Sequence, residues 1–133
     1  GARLVELPLA STDPKPSYSD LTIPGDVKAR SLSRESLSLF LELSLGLSAW
    51  KEYQASRWAL RVNPSSGNLH PTEGYLLCGP VGGLCAGPGV CPYAPREHAL
   101  EVRAKVGVAL WQALAERCPP ETVFVGLTSV HWR

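Results

Sequence analysis

Apolar positions first fall into register after Ser33, where Leu37, Phe40, Leu41 and Leu45 lie three and four residues apart behind a serine able to cap. The spacing predicts a helix over 34–45, ended by Gly46. Residues 49–56 are expected to form a second, short helix in which Trp50 and Tyr53, three apart, pack together. Residues 74–78 read as a buried strand and 79–92 as a Gly/Pro-rich loop. The alternation in "VCPYAP" and "HALEVRA" predicts a strand or hairpin over 90–103. A helix is expected over 106–117, with Trp111, Leu114 and Ala115 on one side, until Pro119-Pro120 stops it. "TVFVGLTSV", residues 122–130, is β-branched and apolar on both faces, as a central strand would be.

Upstream of these elements, residues 1–30 hold Pro8, Pro14, Pro16 and Pro24 among Ser, Asp and Lys. They are expected to be an extended arm with a short strand at 4–9, not an independent fold. Helices and strands therefore interleave over 31–133, and no internal repeat or low-complexity tract breaks the series.

Composition narrows the class. At 133 residues the chain fits one domain, able to bury roughly 65 to 70% of its unfolded surface. Thirteen basic against twelve acidic residues, a formal charge of +1, gives no sign of a nucleic-acid or membrane-surface partner. The longest uncharged stretch, Gly74 to Pro95, is bilayer-length, but ten of its twenty-two residues are glycine or proline, so it reads as a loop. No secretory leader is recognised, since Arg3 and Glu6 flank only a brief apolar run. A cytoplasmic location is the expectation. The chain has no methionine and stops just after a predicted strand, so a fragment is expected.

The four cysteines, Cys78, Cys85, Cys91 and Cys118, contain no C-x-x-C pair of the kind that aims two thiolates at one zinc from a short turn. Although His98 or His70 could complete four ligands on paper, the expectation is reduced, partly buried thiols and no metal.

The chemistry concentrates in "RVNPSSGNLHPTE", residues 61–73. Ser65, Ser66 and Asn68 favour turns in which side chains bond nearby backbone, and Gly67 permits positive φ and close approach of another molecule. Pro64 and Pro71 bracket them and reduce the entropy lost on fixing the loop. With Arg61 and Arg57 nearby, such a loop can aim several donors at a phosphate or a polar heterocycle; it is also what an ordinary turn looks like. Ser48-Ala-Trp-Lys51 matches S-x-x-K, the acyl-transfer pattern, but no K-T-G accompanies it, and Lys51 is expected merely to solvate a helix. Proton transfer is conceivable at His70 with Glu73 or at Glu97-His98, His70 having the better claim; a histidine before proline also commonly fills a turn and bonds a backbone carbonyl.

"SRWALRVNPSSGNLHPTEGYLL", residues 56–77, resembles the flavin-site segment of the nitroreductase superfamily, specifically its SagB-type, azoline-dehydrogenase-like branch. "LFLELSLGLSAWKEY" (39–53), "YAPREHALEVRA" (93–104) and "VFVGLTSVHWR" (123–133) are similar to the same family, so the resemblance covers most of the chain from about residue 33. It implies an α+β, nitroreductase-like fold with helices around a mostly antiparallel sheet. FMN would bind non-covalently where two subunits, or two homologous halves, meet. On that resemblance Arg61, Pro64, Ser65, Ser66, Asn68 and His70 are cofactor-binding, Arg57 is a weaker candidate, and no catalytic residue is assigned. The implied reaction passes a hydride through the flavin, with a small-molecule or peptide substrate, an azoline ring in the SagB-type case; NAD(P)H as donor and a nitro or quinone acceptor remain open. The alternative is a non-catalytic flavin-binding or assembly module of the same fold. Ala29-Arg30-Ser31 lies too close to the first helix to match the phosphate-gripping Arg/Ser pair of many relatives, and the family's second half would lie beyond Arg133, leaving the domain incomplete.

Overall fold

A computed structural model of the chain describes residues 2–12 and 15–131. Pro14 of the expected arm and Trp132-Arg133 of the last resembling segment lie outside the described residues.

The helix predicted from Ser33 is α1, Arg34–Leu45. Ser33 Oγ accepts from the Ser36 N–H at 3.1 Å while Ser36 Oγ accepts from the Ser33 N–H at 2.9 Å, a reciprocal cap that satisfies two donors the first turn would otherwise leave over. Leu37, Leu41 and Leu45, one turn apart, form its buried stripe.

That stripe packs on an antiparallel sheet of β1 (Arg3–Glu6), β4 (Thr72–Cys78), β5 (Gly89–Ala94), β6 (Ala99–Val102), β7 (Ala104–Lys105) and β8 (Phe124–Ser129), in spatial order β1-β6-β5-β4-β8. One flank of β5 is shared, since Tyr93 pairs Leu100 of β6 while Val90 pairs Ala104 of β7. The period-2 pattern places Leu76 and Cys78 of β4 beside Cys91 and Tyr93 of β5 in the core, together with Val5, Leu7 and Leu100. Gly74 lets helix and strand close on each other, since a Cβ there would collide with Leu45 Cδ1.

The arm is sewn to this layer at its start. β1 pairs β6, Leu7 N–H donates to the His98 carbonyl at 2.9 Å, and Arg34 Nη2 reaches the Glu6 carbonyl at 2.7 Å. A short 3₁₀ turn, Tyr18–Thr22, follows further along the arm. The expected strand at 4–9 is thus shorter and begins one residue earlier.

Three expectations are corrected. Residues 49–56 are not helical: β2 (Leu47–Tyr53) and β3 (Ser56–Arg61) form a separate two-stranded hairpin. Its tight turn carries Gln54 at φ 53, where glycine or asparagine is usual, so the hairpin signal was missing from the sequence. Trp50 and Tyr53 consequently do not pack as helical neighbours; Trp50 lies opposite Ala59 and carries the Arg57 guanidinium 4.6 Å from its ring centre. Second, 122–130 yields no central strand. β8 pairs with β4 alone at the sheet's edge, and five of its six residues are exposed, because an apolar run does not encode sheet position. Third, the helix over 106–117 is confined to α2, Val108–Ala115, with no buried residue. Trp111 meets Phe124 edge-on at 6.3 Å and fits against Gly79, where a Cβ would approach the indole to 2.8 Å. Among the described residues no helix is long and apolar enough to cross a membrane.

Candidate functional site

The polar loop links β3 to β4. Ser66–Asn68 form one 3₁₀ turn, and three residues take left-handed backbone: Gly67 at φ 65, Asn68 at φ 56 and His70 at φ 48. Only glycine does so without strain, so local bonds must hold the other two. Asn68 Nδ2 donates to the Ala59 carbonyl at 3.0 Å, and His70 Nε2 lies 3.3 Å from the same oxygen. Ser65 Oγ accepts from the His70 N–H at 2.8 Å. Val62 N–H bonds the Gly46 carbonyl at one end of the loop and Val130 N–H bonds the Pro71 carbonyl at the other, at 3.0 and 2.9 Å. The loop is therefore fixed before any ligand arrives.

The six sequence candidates divide accordingly. Ser65, Asn68 and His70 brace the loop against β3; His70 does what a turn histidine does, meeting a carbonyl. Arg61 Nη1 donates to the Thr72 carbonyl at 3.1 Å and lines a cavity of about 160 Å³ with Leu45, Thr72, Tyr75, Tyr93 and Arg103. Pro64 and Ser66 are exposed, and Arg57 stacks on Trp50 away from that cavity.

Asn63 Oδ1 is buried with no hydrogen-bond partner among the described residues. Such an atom costs on the order of 1–3 kcal/mol unless something donates to it. Asparagine before proline reads as a turn, so nothing in the sequence marked it.

These groups bear on whether the loop suits FMN. An orphaned acceptor at Asn63 and the exposed Ser66 hydroxyl suit one polar edge of a flavin, and Arg61 is the sequence candidate that lines the cavity. The cavity does not suit the whole molecule: about 160 Å³ compares with roughly 300–1,000 Å³ for ligand pockets.

The other sequence candidates fare differently. Ser48 and Lys51 both lie on exposed β2, Ser48 at an irregularity in its pairing, so the S-x-x-K geometry, which needs a helical turn, is not formed. His98 is held in a polar cluster that periodicity could not foresee. Its Nε2 lies 2.9 Å from Ser38 Oγ and its Nδ1 2.8 Å from Tyr93 OH, beside a cavity of about 270 Å³ lined by Glu42, Trp50 and Arg96. Burial, with Glu42 adding and Arg61 opposing, pushes the Tyr93 hydroxyl up to about 12. All four cysteines are free, Cys78 and Cys91 buried. Among the described residues no cluster of His, Cys, Asp or Glu is placed to hold a metal.

No family model matches the chain, and no curated protein does. A crystal structure of a candidate nitroreductase from Anabaena variabilis ATCC 29413 does, with 30% sequence identity and a TM-score of 0.56 over 74% of this chain. The chain spans about a fifth of that protein's length, 21%. The α+β arrangement of two α-helices and an antiparallel sheet among the described residues is thus nitroreductase-like.

Proposed function

We propose that this chain supplies one wall of an FMN site in a nitroreductase-type oxidoreductase, the SagB-type branch being the reading its loop sequence favours. The observation that carries the reading is Asn63 Oδ1, a buried acceptor with no hydrogen-bond partner among the described residues, in a loop braced through Asn68 and Ser65. Asn63 would accept from the flavin's polar edge, Ser66 would donate to it, and Arg61 would face its anionic groups. Ser65, Asn68 and His70 hold these three in place. Bound FMN would supply the two-electron hydride chemistry. The chain's part is orientation: a rigid loop meets the cofactor with little further loss of entropy. The remaining wall would come from a second copy or a homologous half, consistent with a cavity too small to enclose a flavin. Peptide azolines, nitro compounds or quinones as substrates and NAD(P)H as donor belong to that complete assembly.

Asn63→Ala separates the reading from a merely structural loop. Removing an orphaned acceptor leaves apo stability unchanged or raised, while FMN affinity falls about five- to tenfold by loss of one hydrogen bond. Absorbance-monitored FMN titration of the intact protein, with urea melts of the apo forms, gives both numbers. Unaltered affinity, or no flavin bound by the intact protein at all, overturns the proposal. The small cavity also favours a second reading, a flavin-binding or assembly module without turnover. Flavin colour that bleaches with dithionite but never with NAD(P)H or substrate would select it.

A further inference from the structure

At the far end of β4 from the polar loop, roughly 20 Å along the strand, two thiols meet. Cys78 Sγ, at the end of β4, lies 3.6 Å from Cys85 Sγ in the following Gly/Pro-rich loop. Cys85 is fixed from both sides: its N–H and carbonyl pair with Val81 at 3.1 Å each, and its S–H donates to the Gly79 carbonyl at 3.2 Å. The sulfurs need to close by only about 1.5 Å to bond.

The two differ in access. Cys78 is 1% exposed, whereas Cys85 is half-buried and, with Cys91, lines a cavity of about 450 Å³. The walls of that cavity are otherwise largely apolar, from Leu84, Pro88, Val102 and Val106, and Arg3 and Lys105 line it as well. Two cations around an apolar cavity that reaches a thiol are suited to a small disulfide carrying carboxylates.

We propose that Cys78 and Cys85 form a redox dithiol that reduces a small anionic disulfide through this cavity. The Cys85 thiolate, its proton released to water, attacks one sulfur of the disulfide; a Cys85 mixed disulfide forms and one thiolate leaves and takes up a proton. The Cys78 thiolate then attacks Cys85 Sγ, its proton passing to the second leaving thiolate. One disulfide becomes two thiols and the protein gains the Cys78–Cys85 bond, so two electrons pass from protein to substrate. Burial, reinforced by the neighbouring Cys85 thiol, pushes the Cys78 thiol up to about 12. That keeps Cys78 inert to solvent reagents, and capping Cys85 removes the thiol that reinforces the shift.

The test uses the full chain and oxidised glutathione as probe, followed by alkylation and mass spectrometry under non-reducing conditions. No lysine or arginine separates the three cysteines, but chymotryptic cleavage after Leu84 parts Cys78 from Cys85 and leaves Cys85 with Cys91. The expected result is loss of two thiols, a Cys78–Cys85 linked peptide and no retained glutathione. Cys78→Ala should trap glutathione on Cys85, and Cys91→Ala should change nothing. Charge-neutral Arg3→Gln/Lys105→Gln protein should react several-fold more slowly with oxidised glutathione and at the same rate with hydroxyethyl disulfide. Four surviving thiols, glutathione accumulating on wild-type Cys85, a Cys85–Cys91 link, or equal slowing with both disulfides would overturn the proposal. None of these outcomes depends on flavin binding.

Discussion

Ser38 Oγ and His98 Nε2 lie 2.9 Å apart, and the imidazole is the donor. Ser38 gives its single proton to the Pro8 carbonyl at 2.5 Å, so its oxygen can only accept from His98; Nδ1 is then the acceptor for Tyr93 OH. The cluster is a chain of three donors running from Tyr93 through His98 and Ser38 to the arm. It makes Ser38 an anchor and not an activated nucleophile, because the imidazole gives it a proton instead of taking one and its own proton goes to a carbonyl.

Ser38→Ala leaves the Pro8 carbonyl and His98 Nε2 short of a partner at a site 1% exposed. We expect a loss of about 1–3 kcal/mol in urea-induced unfolding, with the arm becoming more susceptible to protease.

Burial of Tyr93 sets an alkaline limit. The folded chain favours the neutral Tyr93 phenol, raising it from 10.0 to about 12. Between those values the unfolded chain has lost a proton that the native state keeps, so the contribution is intact below pH 10 and falls as pH rises through 12. Tyr93→Phe should remove on the order of 2 kcal/mol of the fall seen in wild type over that range. The buried Cys78 thiol, also raised to about 12, acts in the same direction and should remain visible in the variant. Denaturant melts at stepped alkaline pH make the comparison.

In the polar loop, Asn68 combines a left-handed backbone with a bond to Ala59. Asn68→Ala loses both tolerance and bond, whereas Asn68→Gly keeps the backbone. The alanine variant should be less stable than the glycine variant by about 1 kcal/mol, as measured by thermal unfolding.

The β2–β3 turn offers the reverse experiment. Gln54 at φ 53 bears a left-handed cost that glycine avoids, so Gln54→Gly should stabilise the hairpin by up to about 1 kcal/mol. Tryptophan fluorescence of Trp50 and Trp58, which flank this turn on β2 and β3, reports it.

What could be read from the sequence follows from where each signal is stored. α1 announces itself because cap, leucine stripe and terminal glycine agree, and β4 to β6 because alternation and glycine punctuation agree. The β2–β3 hairpin does not, because Gln54-Ala55 lacks turn chemistry and Trp50 and Tyr53 also suit a helix. In the loop, Ser65, Asn68 and Gly67 act locally, so their turn roles could be read within a few residues of sequence. Ser38, Tyr93 and His98 are separated by up to sixty positions, and Asn63 is distinguished only by what fails to reach it. Neither kind of fact has a sequence period.

The placement of β1 bears on how the molecule is made. Its ladder partner β6 emerges from the ribosome roughly ninety-five residues later. At common translation speeds β1 must wait for several seconds with Val5 and Leu7 uncovered. Assembly is therefore governed by the closing of one very long loop, and folding should be slow for a chain of this size.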